Sequence, residues 1–170
     1  MAEAPPPLDD LLLYRISRLL SVAGGMVIRL CEGRFGITRR EWRLLATLAS
    51  HGALGSSQLA GHAQLDRGRT SKAVGSLVAK GLVSRNQPVG DKRHVVLRLT
   101  PKGEALHAEL LPLTTDINAQ LMGALDEAAR ASLDDALKCL QARADALVAA
   151  ADLPKADRRR RGSVPSPERD

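Results

Sequence analysis

Between residues 83 and 100 the hydrophobic spacing of this chain changes period. Val95, Leu97 and Leu99 alternate with Val96, Arg98 and Thr100, the two-residue rhythm of a strand. A shorter strand is predicted at 83–85, and Asn86, Pro88 and Gly90 between the two are turn chemistry. Thr100-Pro101 then restarts a helix, with Thr as N-cap and Pro at the first helical position. One hairpin set into an otherwise helical chain makes the fold class mainly α with a small β-hairpin wing.

The helices follow from apolar residues spaced by three and four. Leu8, Leu12, Ile16, Leu19, Ala23, Val27 and Leu30 mark a long first helix, loosened or kinked at Gly24-Gly25 and ending near Gly33. Thr38 with Glu41 three residues on is a capping box for a second helix carrying Trp42, Leu45 and Leu48. A short third helix starts at Ser56 or Ser57. Asp66 is the N-cap of a fourth, with Thr70, Val74, Leu77 and Val78 facing inward and Lys80-Gly81 closing it. After the hairpin, a helix over 101–122 carries Pro112, which should kink it. A last helix from Asp126 carries Leu133, Leu137, Leu140 and Leu147.

The order is therefore a winged helix-turn-helix at 37–100, with an N-terminal dimerisation helix at 8–36 and C-terminal dimerisation helices at 101–152. The long helices are too apolar to stand alone, and a second copy of the chain is the economical partner. The Pro-rich arm 1–7 and the tail 153–170, with its four consecutive arginines, are predicted to be disordered.

Charge narrows the function. The chain carries +6, and residues 66–94 hold seven Lys/Arg against two Asp, a net +5. That concentration suits a polyanion. Aromatic residues are limited to Tyr14, Phe35 and Trp42, too few for a base-stacking platform. No secretory signal or membrane span is evident, so a cytoplasmic protein with unpaired Cys31 and Cys139 is expected. The four histidines share no metal-ligand spacing, and no nucleophile or phosphate-loop motif occurs, so neither an enzyme nor a cofactor or metal site is expected.

Three segments resemble the MarR family of transcriptional regulators: Ile37 to Leu45 around Trp42, Leu77 to Arg85 at the end of the fourth helix, and Asp91-Lys92-Arg93 followed by Leu99-Thr100-Pro101-Lys102-Gly103. The resemblance implies a homodimer that places two recognition helices in successive major grooves of a pseudo-palindromic duplex operator. The wings reach the flanking minor grooves. The DNA-binding candidates are then Ser57 and Gln58 on the third helix, Arg67, Arg69, Thr70, Ser71 and Lys72 on the fourth, and Arg85, Lys92, Arg93 and His94 on the hairpin. Of these, Thr70 is the one whose position also suits inward packing.

A repressor released by a small aromatic or anionic ligand, such as an aromatic carboxylate, is the regulatory pattern the resemblance implies. Its site residues would be Tyr14, Arg18, Trp42, Arg43 and His51, a ring set beside cations. A constitutive protein, a redox-responsive one, and a winged helix that binds protein instead of DNA are the alternatives. Glu32 beside Cys31 should raise its thiol pKa, which weighs against oxidation sensing.

Overall fold

Four polar side chains set the helix starts. Thr38, Asp66, Thr100 and Asp126 each accept a hydrogen bond from the backbone N–H three residues on. Each satisfies a donor that the first turn of a helix leaves unpaired. In the computed structural model, which describes residues 6–86 and 95–152, the helices are α1 (Leu12–Phe35), α2 (Arg39–His51), α3 (Ser56–His62), α4 (Arg67–Ala79), α5 (Pro101–Met122) and α6 (Glu127–Ala150). A 3-10 turn, Leu8–Asp10, precedes α1. The chain divides after Ala124 into two compact units, and α6 belongs to the second. The expectations for 1–5, 153–170 and the hairpin tip 87–94 fall outside the described residues.

The first unit packs its helices on a three-stranded antiparallel sheet of order β1-β3-β2, formed by Leu54–Gly55, Val96–Leu99 and Val83–Asn86. Leu97 sits at its centre, opposite Leu54 on one side and Arg85 on the other. Leu44, Leu45, Leu59, Leu77 and Leu110 are fully buried around it. Each such side chain contributes about 1.5–3 kcal/mol over its exposed state.

Two expectations are corrected. The first helix does not end near Gly33. It runs to Phe35, because Gly36 is the residue that takes the left-handed conformation (φ 62°) a helix terminus needs. Nor does Gly24-Gly25 interrupt it: the helix is continuous there, and the buried Gly24 leaves room for the Arg39 guanidinium, whose Nη1 would lie 2.8 Å from a Cβ at that position.

The junction of α4, β3 and α5 explains five consecutive residues. Leu99 pairs with Val83, and Thr100 caps α5 while its hydroxyl donates to the Gly81 carbonyl at 2.7 Å. Pro101 occupies the first helical position, where no N–H is missed. Lys102 Nζ donates to the Lys80 carbonyl at 3.0 Å. Gly103 has no room for a side chain: a Cβ there would run into the Leu82 carbonyl oxygen.

Gly103→Ala should therefore destabilise the fold by about 3 kcal/mol or more, since backbone has to move. Gly25→Ala, where a Cβ meets nothing within 4 Å, should stabilise it by about 0.5–1 kcal/mol. Urea unfolding of the two variants checks both signs.

Candidate nucleic-acid interface

The position of α4 rests on one buried carboxylate. Glu41, 2% exposed, closes the capping box of α2, with the Thr38 N–H donating to its Oε2 at 2.6 Å. Lys80 Nζ, from the end of α4, donates to both Glu41 oxygens at 3.0 and 2.9 Å and to the Gly36 carbonyl at 2.9 Å. Burial alone would raise the Glu41 pKa. Hydrogen bonds from Ser76, the Thr38 backbone and Lys80, together with the Lys80 charge, outweigh it and hold the carboxyl below its ordinary 4.5.

The turn from α3 to α4 is equally fixed. Gln64 takes a positive φ of 54°, with its N–H on the Gly61 carbonyl and the Leu65 N–H on the Ala60 carbonyl, both at 3.0 Å. This pair of bonds is a Schellman closure, usually built on Gly. Asp66 then caps α4 and pairs with Arg69 Nε at 3.1 Å.

With both ends held, α4 has two distinct faces. Val74 and Leu77 are buried, while Arg67, Gly68, Arg69, Ser71 and Lys72 are exposed. Thr70 is corrected as an interface residue: it is 1% exposed and its hydroxyl donates to the Asp66 carbonyl at 2.9 Å. Ser57 and Gln58 are exposed on α3, and Gln58 Oε1 accepts from the Gly55 N–H at 3.0 Å as a cap. Arg85 is exposed on β2. Lys92, Arg93 and His94 lie outside the described residues.

The five expected effector residues do not come together. Trp42 and Arg43 share a depression of about 340 Å³ with Leu20, Val27, Ala46 and Arg39. Arg18 lines a different hollow with Asp9, to which it is paired at 3.3 Å. His51 lies against His62, ring centroids 4.2 Å apart and the planes tilted by 34°, and its Nδ1 lies 3.1 Å from the Thr47 carbonyl oxygen. Tyr14 is half-buried and lines neither hollow. These separations are set by tertiary packing, which helical spacing alone does not report. The spacing also missed Arg39, which faces Gly24, and His107, which stacks on Trp42 at 5.3 Å and whose pKa burial lowers.

Cys31 is fully buried. Its thiol pKa is raised, first by burial and then by Glu32, with Arg39 opposing. A thiol so held is a poor nucleophile.

Residues 37–95 match the MarR family. The chain is similar to the HTH-type transcriptional regulator FarR of Neisseria gonorrhoeae, 38% identical over 74 residues, which are 44% of this chain and 51% of FarR. It is also similar to the HTH-type transcriptional repressor NicR of Pseudomonas putida, 28% identical over 97 residues, 57% of this chain and 61% of NicR. The matched segments thus span only about half to three fifths of these relatives. The solved structure of BpsR from Bordetella bronchiseptica, described for regulation of its DNA binding by 6-hydroxynicotinic acid, aligns with a TM-score of 0.63 at 22% identity. The alignment covers 75% of this chain and 98% of that one. At that identity the likeness is one of fold.

Glu41 gives a prediction with a definite sign. Because its folded pKa is lowered, its stabilising contribution is present above the unfolded value and lost as pH falls through the folded one. Stability should drop on acidification below about pH 4.5, and Glu41→Gln should flatten that dependence, since Gln retains the cap but not the charge. Lys80→Met should cost about 2–3 kcal/mol, less than the ~3–5 of a fully buried pair because Lys80 is 35% exposed. Denaturant unfolding between pH 3 and 7 measures all three proteins.

Proposed function

With residues 37–95 belonging to the MarR family, we propose that this chain is a regulator of transcription and not an enzyme: a cytoplasmic homodimer that binds double-stranded DNA at a pseudo-palindromic operator. Its role is repression, relieved by a small aromatic or anionic ligand. The observation that carries this reading is the division of α4. Its inner face is locked by Thr70, Val74 and Leu77, and its outer face offers Arg67, Arg69, Ser71 and Lys72 around Gly68. Small residues admit a close backbone approach, Arg binds guanine edges bidentately, and hydroxyls and Lys take phosphate. Ser57, Gln58 and Arg85 extend the surface. By family resemblance Arg93 is the residue assigned to the minor groove or to phosphate, with Lys92 and His94 adding non-specific affinity.

Dimerisation is supported by exposed apolar side chains within each unit. On α1, Leu12, Leu13, Ile16, Leu19 and Leu20 are exposed. On α6, Leu133, Leu137, Leu140, Leu147 and Val148 are exposed. Apolar faces of that kind call for a partner, and the helices over 8–36 and 101–152 are assigned to the second copy of the chain. The repressor role draws support from NicR, which is named as a repressor. For the ligand, the depression of Trp42, Arg43 and Arg39 supplies an aromatic wall and two cations.

Selection from random duplexes should return a pseudo-palindrome with half-sites about one helical turn apart, bound by a dimer. Arg67→Ala or Ser71→Ala should weaken the selected site by about 1–3 kcal/mol where base edges are read. Thr70→Val should leave the affinity nearly unchanged. A wild-type protein without salt-sensitive duplex binding would sink the reading.

A panel of aromatic carboxylates, 6-hydroxynicotinic acid first, should contain a compound that releases the operator, and Arg43→Gln should blunt the release. A panel in which nothing shifts thermal stability or releases DNA removes the ligand from the account.

A further inference from the structure

Four arginines line a second hollow beside the outer face of α4; Arg39 and Arg43 also border the Trp42 depression, Arg69 belongs to the α4 face, and Arg40 borders this hollow alone. Arg39 and Arg40 come from the first turn of α2, Arg43 from the next turn, and Arg69 from the first turn of α4. Together with Thr38 and Leu65 they line a depression of about 380 Å³. On the α1 side Ile28 and Glu32 complete it, and among the described residues Glu32 is the one carboxylate in the lining. With Glu32 in the lining and Asp66 paired with Arg69, the four cations leave a net +2 at the mouth of a concavity, which focuses positive potential there. The N-terminal end of α2 adds the positive pole of the helix dipole.

The arginines are held apart by their own fold. Arg43 Nη1 donates to the Ala63 carbonyl at 3.3 Å, Arg69 pairs with Asp66, and Arg39 lies over Gly24. Arg40 is exposed. Stability does not call for this arrangement, since like charges so placed repel. An anion with several oxygens does, because each guanidinium presents a donor fork that matches phosphate. Arg69 belongs both to this hollow and to the exposed face of α4, so the two surfaces are continuous.

We propose that the hollow seats a phosphate of the DNA backbone beside the segment read by α4, so that α2 as well as α4 holds the duplex. This rests on the duplex-binding reading above. The chemistry recognised is a phosphate-type anion. A duplex or a free phosphate compound supplies it, and continuity with α4 through Arg69 favours the duplex.

The test measures duplex affinity of the full chain against salt for wild type, Arg40→Gln, Arg39→Gln and Arg40→Lys, and the thermal midpoint of each with and without inorganic phosphate. Expected for Arg40→Gln is a slope of log K against log salt shallower by about 0.9 for each phosphate no longer neutralised, weaker binding on all sequences alike, and an unaltered midpoint without phosphate. Arg40→Lys should restore the slope. A steep wild-type slope that both Gln variants reproduce overturns the proposal. If those slopes are unchanged while phosphate raises the midpoint of wild type and not of the Gln variants, the duplex assignment is overturned in favour of a free anion. If wild type binds no duplex at all, the regulator reading falls separately. The phosphate shift then decides the hollow: a shift abolished in the Gln variants sustains the anion site, and no shift overturns it.

Discussion

The ion pair between Glu41 and Lys80 is the contact on which the geometry of the first compact unit depends. One carboxylate closes the start of α2, and one ammonium reaches it from the end of α4 while also taking the carbonyl of Gly36, the residue that ends α1. Lys102 binds the Lys80 carbonyl, so the start of α5 is referred to the same residue. A pair with one partner buried is a weak source of net stability, because desolvation of the Glu41 carboxylate offsets much of the attraction. Its worth is directional. A hydrophobic pair in its place would hold α2 and α4 together through a range of rotations. The bidentate contact admits few, and the outward face of α4 is only useful in one.

The same argument applies to the run from Leu99 to Gly103. Its residues share no single chemistry, yet each removes one freedom from the point where the hairpin hands over to α5. Register comes from Leu99, the cap from Thr100, the backbone start from Pro101, a tie to α4 from Lys102 and close approach from Gly103. These contacts fix the base of the hairpin, at Val83 and Leu99, against the end of α4 and the start of α5.

Helix caps were legible in the chain because capping is local: Thr38, Asp66 and Thr100 act within three residues of themselves, while Asp126 was legible only as the start of the last helix. The two-residue strand β1 was not, since Leu54 and Gly55 show no period and become a strand only by pairing with β3. Gly33 and Gly36 are indistinguishable by type, and only the observed φ selects Gly36 as the terminus. Thr70 was readable in both directions, as an inward residue by spacing and as a DNA contact by neighbourhood, and its position decides for the first. The grouping of effector residues was the least legible part. Trp42 and Arg43 are adjacent in sequence and meet. Tyr14 and Arg18 depend on how α1 lies along α2, and His51 on where α3 brings His62, which no local signal carries.

What remains after the fold is explained is surplus positive charge. Exposed ion pairs such as Arg69 with Asp66 contribute at most about 1 kcal/mol, and Arg39 and Arg40 lie in the first turn of α2, Arg67 and Lys72 in the first two turns of α4. Folding stability would be served as well by neutral side chains there, and better by mixed charges. The sheet, the caps and the Glu41–Lys80 pair together hold these cations on rigid elements and not on loops, which costs ordering entropy in the protein alone and saves it when a polyanion arrives. Under the duplex-binding reading proposed above, cations held at fixed spacing on α2 and α4 are ordered before the phosphates of a duplex reach them.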